Sequence, residues 1–151
     1  HIIQAATLTD RFSHDDEVLD DLLGQIHDEV HHFSADGAYD ETPVYDKLLA
    51  HSPAADIVIP PAKNAIFNPK ANRMRNRNIL EISAYGRMAW QKERRYGQRN
   101  ISELGIQRYK RILGRAMHAR KFERQQQELM IGCGILNKMT GLGMPESFKT
   151  A

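Results

Sequence analysis

Between residues 1 and 61 the chain alternates between two hydrophobic rhythms, and that alternation limits the folds open to it. HIIQAATLT is apolar and β-branched with no breaker, which predicts a strand. In SHDDEVLDDLLGQIHDEV, Val18, Leu19, Leu22, Leu23, Ile26 and Val30 recur at helical spacing. Ser13 is placed to cap that helix, with acids in its first turn. HHFSAD predicts a short strand ending at Asp36, and Gly37 supplies a turn. Thr42 and Pro43 then open a helix, PVYDKLLAH. DIVIPP predicts a further buried strand, stopped by Pro60 and Pro61. The order β-α-β-α-β calls for an α/β sheet with helical crossovers.

The pattern changes after residue 61. AKNAIFNPKANRMRNR reads as a polar, basic loop. From about Asn78 onward three helical segments follow: ILEISAYGRMAWQKERR, ISELGIQRYKRILGRAM and ARKFERQQQELMIGCGILNKMTGLG. Phe122, Leu129, Ile131, Ile135 and Leu136 are the core candidates of the last one. The tail 146–151 is expected to be loose. Gly132 and Gly134 lie within an apolar helical run, so close helix packing explains them better than a nucleotide loop does.

Charge divides along the same line. Residues 1–60 hold two cations against thirteen acids, a net of −11, and residues 61–151 hold nineteen cations against six acids, a net of +13. A basic half of this size fits a polyanion partner, or two halves that neutralise each other in one fold. No apolar run reaches the roughly 18 residues that a membrane span needs. The single cysteine, Cys133, sits among apolar neighbours and reads as buried packing in a reducing compartment.

Two patterns carry chemistry. Tyr96, Arg99, Glu103 and Lys110 keep steps of three, four and seven. At about 100° per residue, an uninterrupted helix would hold all four on one stripe. Glu103 there lies among Arg99, Arg108 and Lys110. Such an acid stays ionised and suits a hard cation, while its neighbours suit phosphates. A solvated polar face is the plainer alternative. The second pattern is SADGAYD, which sets Asp36 at a strand end, where ligands gather in open α/β sheets. Asp before Gly is also a common turn former. A third pattern, HDEVH at residues 27–31, has the i, i+4 histidines of a zinc hydrolase, His27 and His31. It carries Asp28 where that motif needs Glu, and no third ligand stands out downstream.

Tyr96-x2-Arg99-x3-Glu103-x6-Lys110 resembles the Y-(2)-R-(3)-E-(6)-K signature of bacterial insertion-sequence DDE transposases, and all four letters match. ADGAYD, residues 35–40, is similar to the segment bearing that family's second catalytic aspartate. VIPPAKNA, residues 58–65, is similar to the strand and basic turn that follow, with Ala62 where a basic residue is usual. LNKMTGLGMP is similar to the closing helix, so the resemblance covers roughly residues 1–145. It implies an incomplete ribonuclease-H-like sheet with a helical C-terminal half. It implies acidic residues holding two Mg²⁺ ions, with Mn²⁺ as substitute, for cleavage and joining of DNA at transposon ends. Asp36 and Glu103 would be catalytic metal ligands that face each other. Tyr96, Arg99, Lys110, Lys63 and Arg108 would contact double-stranded DNA. A homo-oligomer on DNA, in the cytoplasm at the nucleoid, follows from the same resemblance. The family's first aspartate would lie upstream of His1. The expectation is therefore a C-terminal part of a catalytic domain that by itself neither nicks nor joins DNA. A non-catalytic DNA-binding remnant is the alternative.

Overall fold

The computed structural model describes residues 2–9 and 18–143. β1, His32–Ser34, pairs in parallel with β2, Asp56–Val58, in the register His32 with Asp56, Phe33 with Ile57 and Ser34 with Val58. Parallel neighbours need a crossover, and α2, Thr42–His51, supplies it. Pro43 sits in its first turn, where a missing N–H costs nothing. Thr42 is already helical, and Glu41 takes the cap position that the sequence assigned to Thr42. Val44, Tyr45 and Leu48 of α2 join Ile57, Ile59, Ala35, Ala55, Leu19 and Leu23 in one buried cluster. Each large apolar side chain buried this way contributes about 1.5–3 kcal/mol.

Before residue 100, three helices differ from their predicted spans. α1 is Leu19–Leu23 and stops at Gly24, so the helix expected to reach Val30 is far shorter. Polar contacts to the end of α2 take its place. Ser52 Oγ accepts the Val30 N–H at 2.8 Å, and His51 bridges Ser52 Oγ at 2.8 Å and the Ile26 carbonyl at 2.9 Å. α3, Arg73–Tyr85, begins inside the expected loop because Asn72 caps it, accepting the Met74 N–H at 2.9 Å. Gly86, at φ +82°, then separates α3 from α4, Arg87–Glu93, where the sequence predicted a single helical segment. The Ser13 cap and the tail 146–151 lie outside the described residues.

The chain groups into two compact units, Thr9–Asn100 and His1–Leu8 with Ile101–Ala151. The second is built on α5, Asn100–Ile112, and α6, Phe122–Leu142. Residues 2–8, predicted as a strand, find side-chain amides in place of a strand partner. Asn137 accepts the Ile3 N–H and donates to the Ile3 carbonyl, both at 2.7 Å. Gln126 accepts the Leu8 N–H at 2.7 Å and donates to the Ala6 carbonyl at 3.3 Å. Gln126 and Asn137 lie on nearly one face of α6, about 16 Å apart along its axis. An extended run from Ile3 to Leu8 covers about the same length.

α6 buries Gly132, Cys133 and Leu136. Leu136 and Cys133 meet their predicted roles, and burial raises the Cys133 thiol above its ordinary range. Phe122, Ile131 and Ile135 do not; they are exposed. Ile131 and Ile135 lie more than about 100° round the helix from the buried face, and Phe122 opens the first turn. Glu128 accepts the backbone N–H groups of His118 at 2.9 Å and Ala119 at 2.8 Å. Those bonds hold its carboxyl below the ordinary range. Among the described residues, no helix is long and apolar enough to cross a membrane.

Two predictions follow from α6. A Cβ at Gly132 would meet the Tyr109 ring at 2.5 Å, whereas one at Gly134 would meet nothing within 4 Å. Gly132→Ala must displace the tip of the Tyr109 ring and should be less stable than Gly134→Ala. Gly134→Ala should be neutral or gain up to about 1 kcal/mol of helix propensity. Thermal melts of the two variants decide this. The second concerns pH. The Glu128 tie is fully present above the ordinary carboxylate range and is lost as pH falls through its lowered value. Amide exchange at Ala119, corrected for intrinsic rates, should therefore accelerate only in strongly acid solution, and in Glu128→Gln it should already be faster at neutral pH.

Candidate active site

The two ends of the parallel sheet are built differently. At the end where the strands begin, Asp56 pairs with Arg77 at 2.6 Å and Arg94 at 3.6 Å, and lies 3.6 Å from His32 Nδ1. Arg94 also bonds Glu81, which raises its pKa further, and Arg77 lies 3.9 Å from Glu81. Cations of the basic half are thus spent on internal acids here. At the other end, β1 runs out at Ser34 and the chain turns through Asp36.

Asp36 lies two residues past β1, at the carboxyl end of a parallel strand, as the sequence predicted. It caps a short 3-10 turn, Gly37–Tyr39, with Oδ1 accepting the Ala38 N–H at 2.9 Å. The residue is exposed. An ionised carboxylate has about four acceptor sites, so one backbone bond leaves most of its capacity open to solvent. Gly37 is needed for close approach. A Cβ there would stand 3.0 Å from the Pro60 carbonyl oxygen, just beyond β2.

Sequence reasoning missed what stands behind this turn. Asp40, four residues on, has a side chain only 5% exposed. Arg75 of α3 donates to both its oxygens, Nε to Oδ1 at 3.1 Å and Nη2 to Oδ2 at 2.9 Å. The fully buried Tyr45 donates its hydroxyl to Oδ1 at 3.1 Å. Burial, and next the Asp40 charge, push the Tyr45 phenol well above its ordinary pKa, so it remains a donor. ADGAYD contained Asp40, but no spacing linked it to Arg75, thirty-five positions away.

Tyr96 and Arg99 come together, though in another way than a single helix stripe. Arg95, at φ 53°, breaks the chain from α4, and Tyr96–Arg99 forms a 3-10 turn ahead of α5. With about three residues per turn, positions i and i+3 eclipse. Arg99 accordingly lies over the Tyr96 ring, 5.8 Å from its centroid, and Tyr96 stands 6.0 Å from the buried Trp90 ring. The turn packs against β1. The stepwise 100° rule therefore does not carry from Tyr96 and Arg99 into α5.

On α5 itself, Glu103 sits in the first turn, where the helix dipole favours an acid. Glu103 and Lys110 are both exposed, and seven residues bring them back to within about 20° of each other. Arg108 lies about 140° from Glu103. It donates to Thr140 Oγ1 at 2.5 Å and to the Leu136 carbonyl at 3.2 Å, holding α5 to α6. Gly105 has nothing within 4 Å of a Cβ position, so packing does not require a glycine there. Lys63 is exposed in the chain after β2. His27 and His31 lie outside any helix, so the spacing that a zinc motif needs is not formed. Among the described residues, no three His, Cys, Asp or Glu side chains come together to hold a metal.

A family model described as Transposase DDE domain matches residues 1–138. No solved structure matches the chain.

The close approach at Gly37 yields a prediction. Its neighbour is backbone and cannot swing aside, so Gly37→Ala should cost about 1–3 kcal/mol in a urea melt. It should also perturb the amide resonance of Ala38, whose N–H depends on the position of Asp36.

Proposed function

Since this chain belongs to the transposase DDE-domain family, we propose that it serves DNA cleavage and strand transfer at transposon ends. The observation that carries this reading is the exposed Asp36 carboxylate at the carboxyl end of β1, inside the matched region. Family membership supports an enzyme of the transposase kind acting on DNA. The parallel β1–α2–β2 unit is consistent with part of a ribonuclease-H-like sheet.

In this reading Asp36 and Glu103 are catalytic residues, each offering a carboxylate to a divalent cation, Mg²⁺ or Mn²⁺. Their chemistry fits. Hard oxygen donors suit such ions, and Mg²⁺ is commonly held by one or two carboxylates with water and substrate phosphates completing its shell. When bound, such ions activate the attacking oxygen and stabilise the leaving one in phosphodiester exchange. Asp36 is presented by a backbone-bonded turn, which fixes where its free oxygen points. Glu103 stands exposed in the first turn of α5.

Tyr96, Arg99, Lys110 and Lys63 serve as contacts to double-stranded DNA. Arg99 combines a cationic head with the Tyr96 ring beneath it, which restrains the guanidinium ahead of a phosphate contact. Arg108 commits N–H groups to Thr140 and Leu136 and adds charge through the rest of its fork. Assembly as a homo-oligomer on DNA belongs to the same proposal.

The test is duplex binding by the 151-residue chain over a salt series. Affinity should fall linearly on a log–log plot. Replacing Arg99 and Lys110 by Ala should reduce the slope by about 1.8, since each phosphate contact contributes about 0.9. An unchanged slope, or no binding at low salt, would remove these residues from the DNA face.

A further inference from the structure

We propose that Asp40 and Arg75 are positioning residues for Asp36, acting with Tyr45 as a buried clamp that fixes the turn presenting the metal-binding carboxylate. This rests on the reading of Asp36 as a metal ligand given above.

The turn from Ala35 to Asp40 is anchored on every side. The Ala35 N–H donates to the Val58 carbonyl at 3.4 Å, tying its start to β2. Gly37 lies against Pro60, where an added Cβ would stand 3.0 Å from the carbonyl oxygen. Asp40 closes the far end through Arg75 and Tyr45. Asp36 is left between these anchors, exposed and bonded to Ala38.

α3 makes the clamp and the strand one assembly. Three residues after Arg75, and on the same side of the helix, the buried Asn78 donates from Nδ2 to the carbonyls of Ile57 at 3.2 Å and Ile59 at 3.4 Å. The helix that grips Asp40 thus also holds the chain from Ile57 to Ile59, next to the Pro60 against which Gly37 rests. A shift of α3 would move both ends of the Asp36 turn.

The two aspartates of this turn are handled in opposite ways. Asp40 is covered, and its charge is matched by a bidentate guanidinium, the most directional pairing available to a carboxylate. Asp36 is exposed and open to an outside cation. Bulk stability does not require this arrangement, because an apolar replacement of similar volume often does as well as a buried ion pair. What the pair adds is direction: the Arg75 fork permits a narrow range of Asp40 positions, and hence of Asp36 positions four residues back.

The experiment titrates the 151-residue chain with Mn²⁺ alone, reading free Mn²⁺ by electron paramagnetic resonance. In parallel it measures amide exchange at Ala38, with Phe33 and Val58 as references in the strands. Asp36→Asn should weaken Mn²⁺ binding and so test the metal reading. Asp40→Asn and Arg75→Met should each weaken it about 10-fold, the lower end of what supporting partners of metal ligands contribute. Both should speed exchange at Ala38 by a larger factor than at Phe33 and Val58. Arg75→Lys should recover part of the Mn²⁺ affinity, a rescue that filling space alone would not give. Should Asp40→Asn fail to fold, Tyr45→Phe keeps the packed ring and should show the same two changes at smaller size. Unchanged Mn²⁺ affinity and unchanged Ala38 exchange in the clamp variants overturn the proposal. If Asp36→Asn binds Mn²⁺ as the parent does, the metal reading falls. In that case faster Ala38 exchange in the clamp variants still assigns the clamp to the turn, and unchanged exchange removes it.

Discussion

Two three-residue strands have little hydrogen bonding of their own, so the parallel pairing of β1 with β2 depends on what covers it. α2 provides that cover, because a parallel pair must be joined by a crossover and the crossover must bury its apolar face. Val44, Tyr45 and Leu48 bury in one cluster with Ile57 and Ile59, with α1 adding Leu19 and Leu23. Once that pairing is set, the geometry of the site follows. The carboxyl ends of both strands are brought side by side, and the chain leaving β1 meets the chain leaving β2 at Gly37 and Pro60.

Polar groups finish what the core begins. Asp40, Arg75, Tyr45 and Asn78 are buried or nearly so, and each is bonded to another member or to the strand backbone. Removing one partner of such a pair leaves an uncompensated charge, a loss of about 3–5 kcal/mol. At the opposite end of the sheet, Asp56 and Glu81 absorb Arg77 and Arg94. The strong positive balance after residue 60 is therefore only partly available to an outside polyanion. Some cations neutralise acids of the first half, and others, such as Lys63 and Lys110, stand exposed.

Much of the first half was legible because local chemistry and tertiary packing agree there. The short run HHFSAD became β1 and its turn, and Thr-Pro marked the start of α2. Prediction failed where distant contacts overrode the local pattern. Ile26 and Val30 kept helical spacing, but Ser52 and His51 draw that stretch out of the helix. Residues 2–8 had strand composition, but their bonds go to Gln126 and Asn137, which no periodicity marks. The even beat of Tyr96, Arg99, Glu103 and Lys110 implied one uninterrupted helix, whereas a left-handed Arg95 and a 3-10 turn come first. Asp36 could be read directly from ADGAYD. Its clamp could not, since Asp40 and Arg75 meet only after α3 has packed.

The central claim is that Asp36 presents an open carboxylate to a divalent cation. Paramagnetic broadening by Mn²⁺ in a proton–nitrogen correlation spectrum of the 151-residue chain tests it most directly. The account predicts that substoichiometric Mn²⁺ erases the amide signals of Asp36, Gly37 and Ala38 first, and that excess Mg²⁺ restores them. Broadening that spares this turn and centres on the Asp56–Glu81 end of the sheet would contradict it.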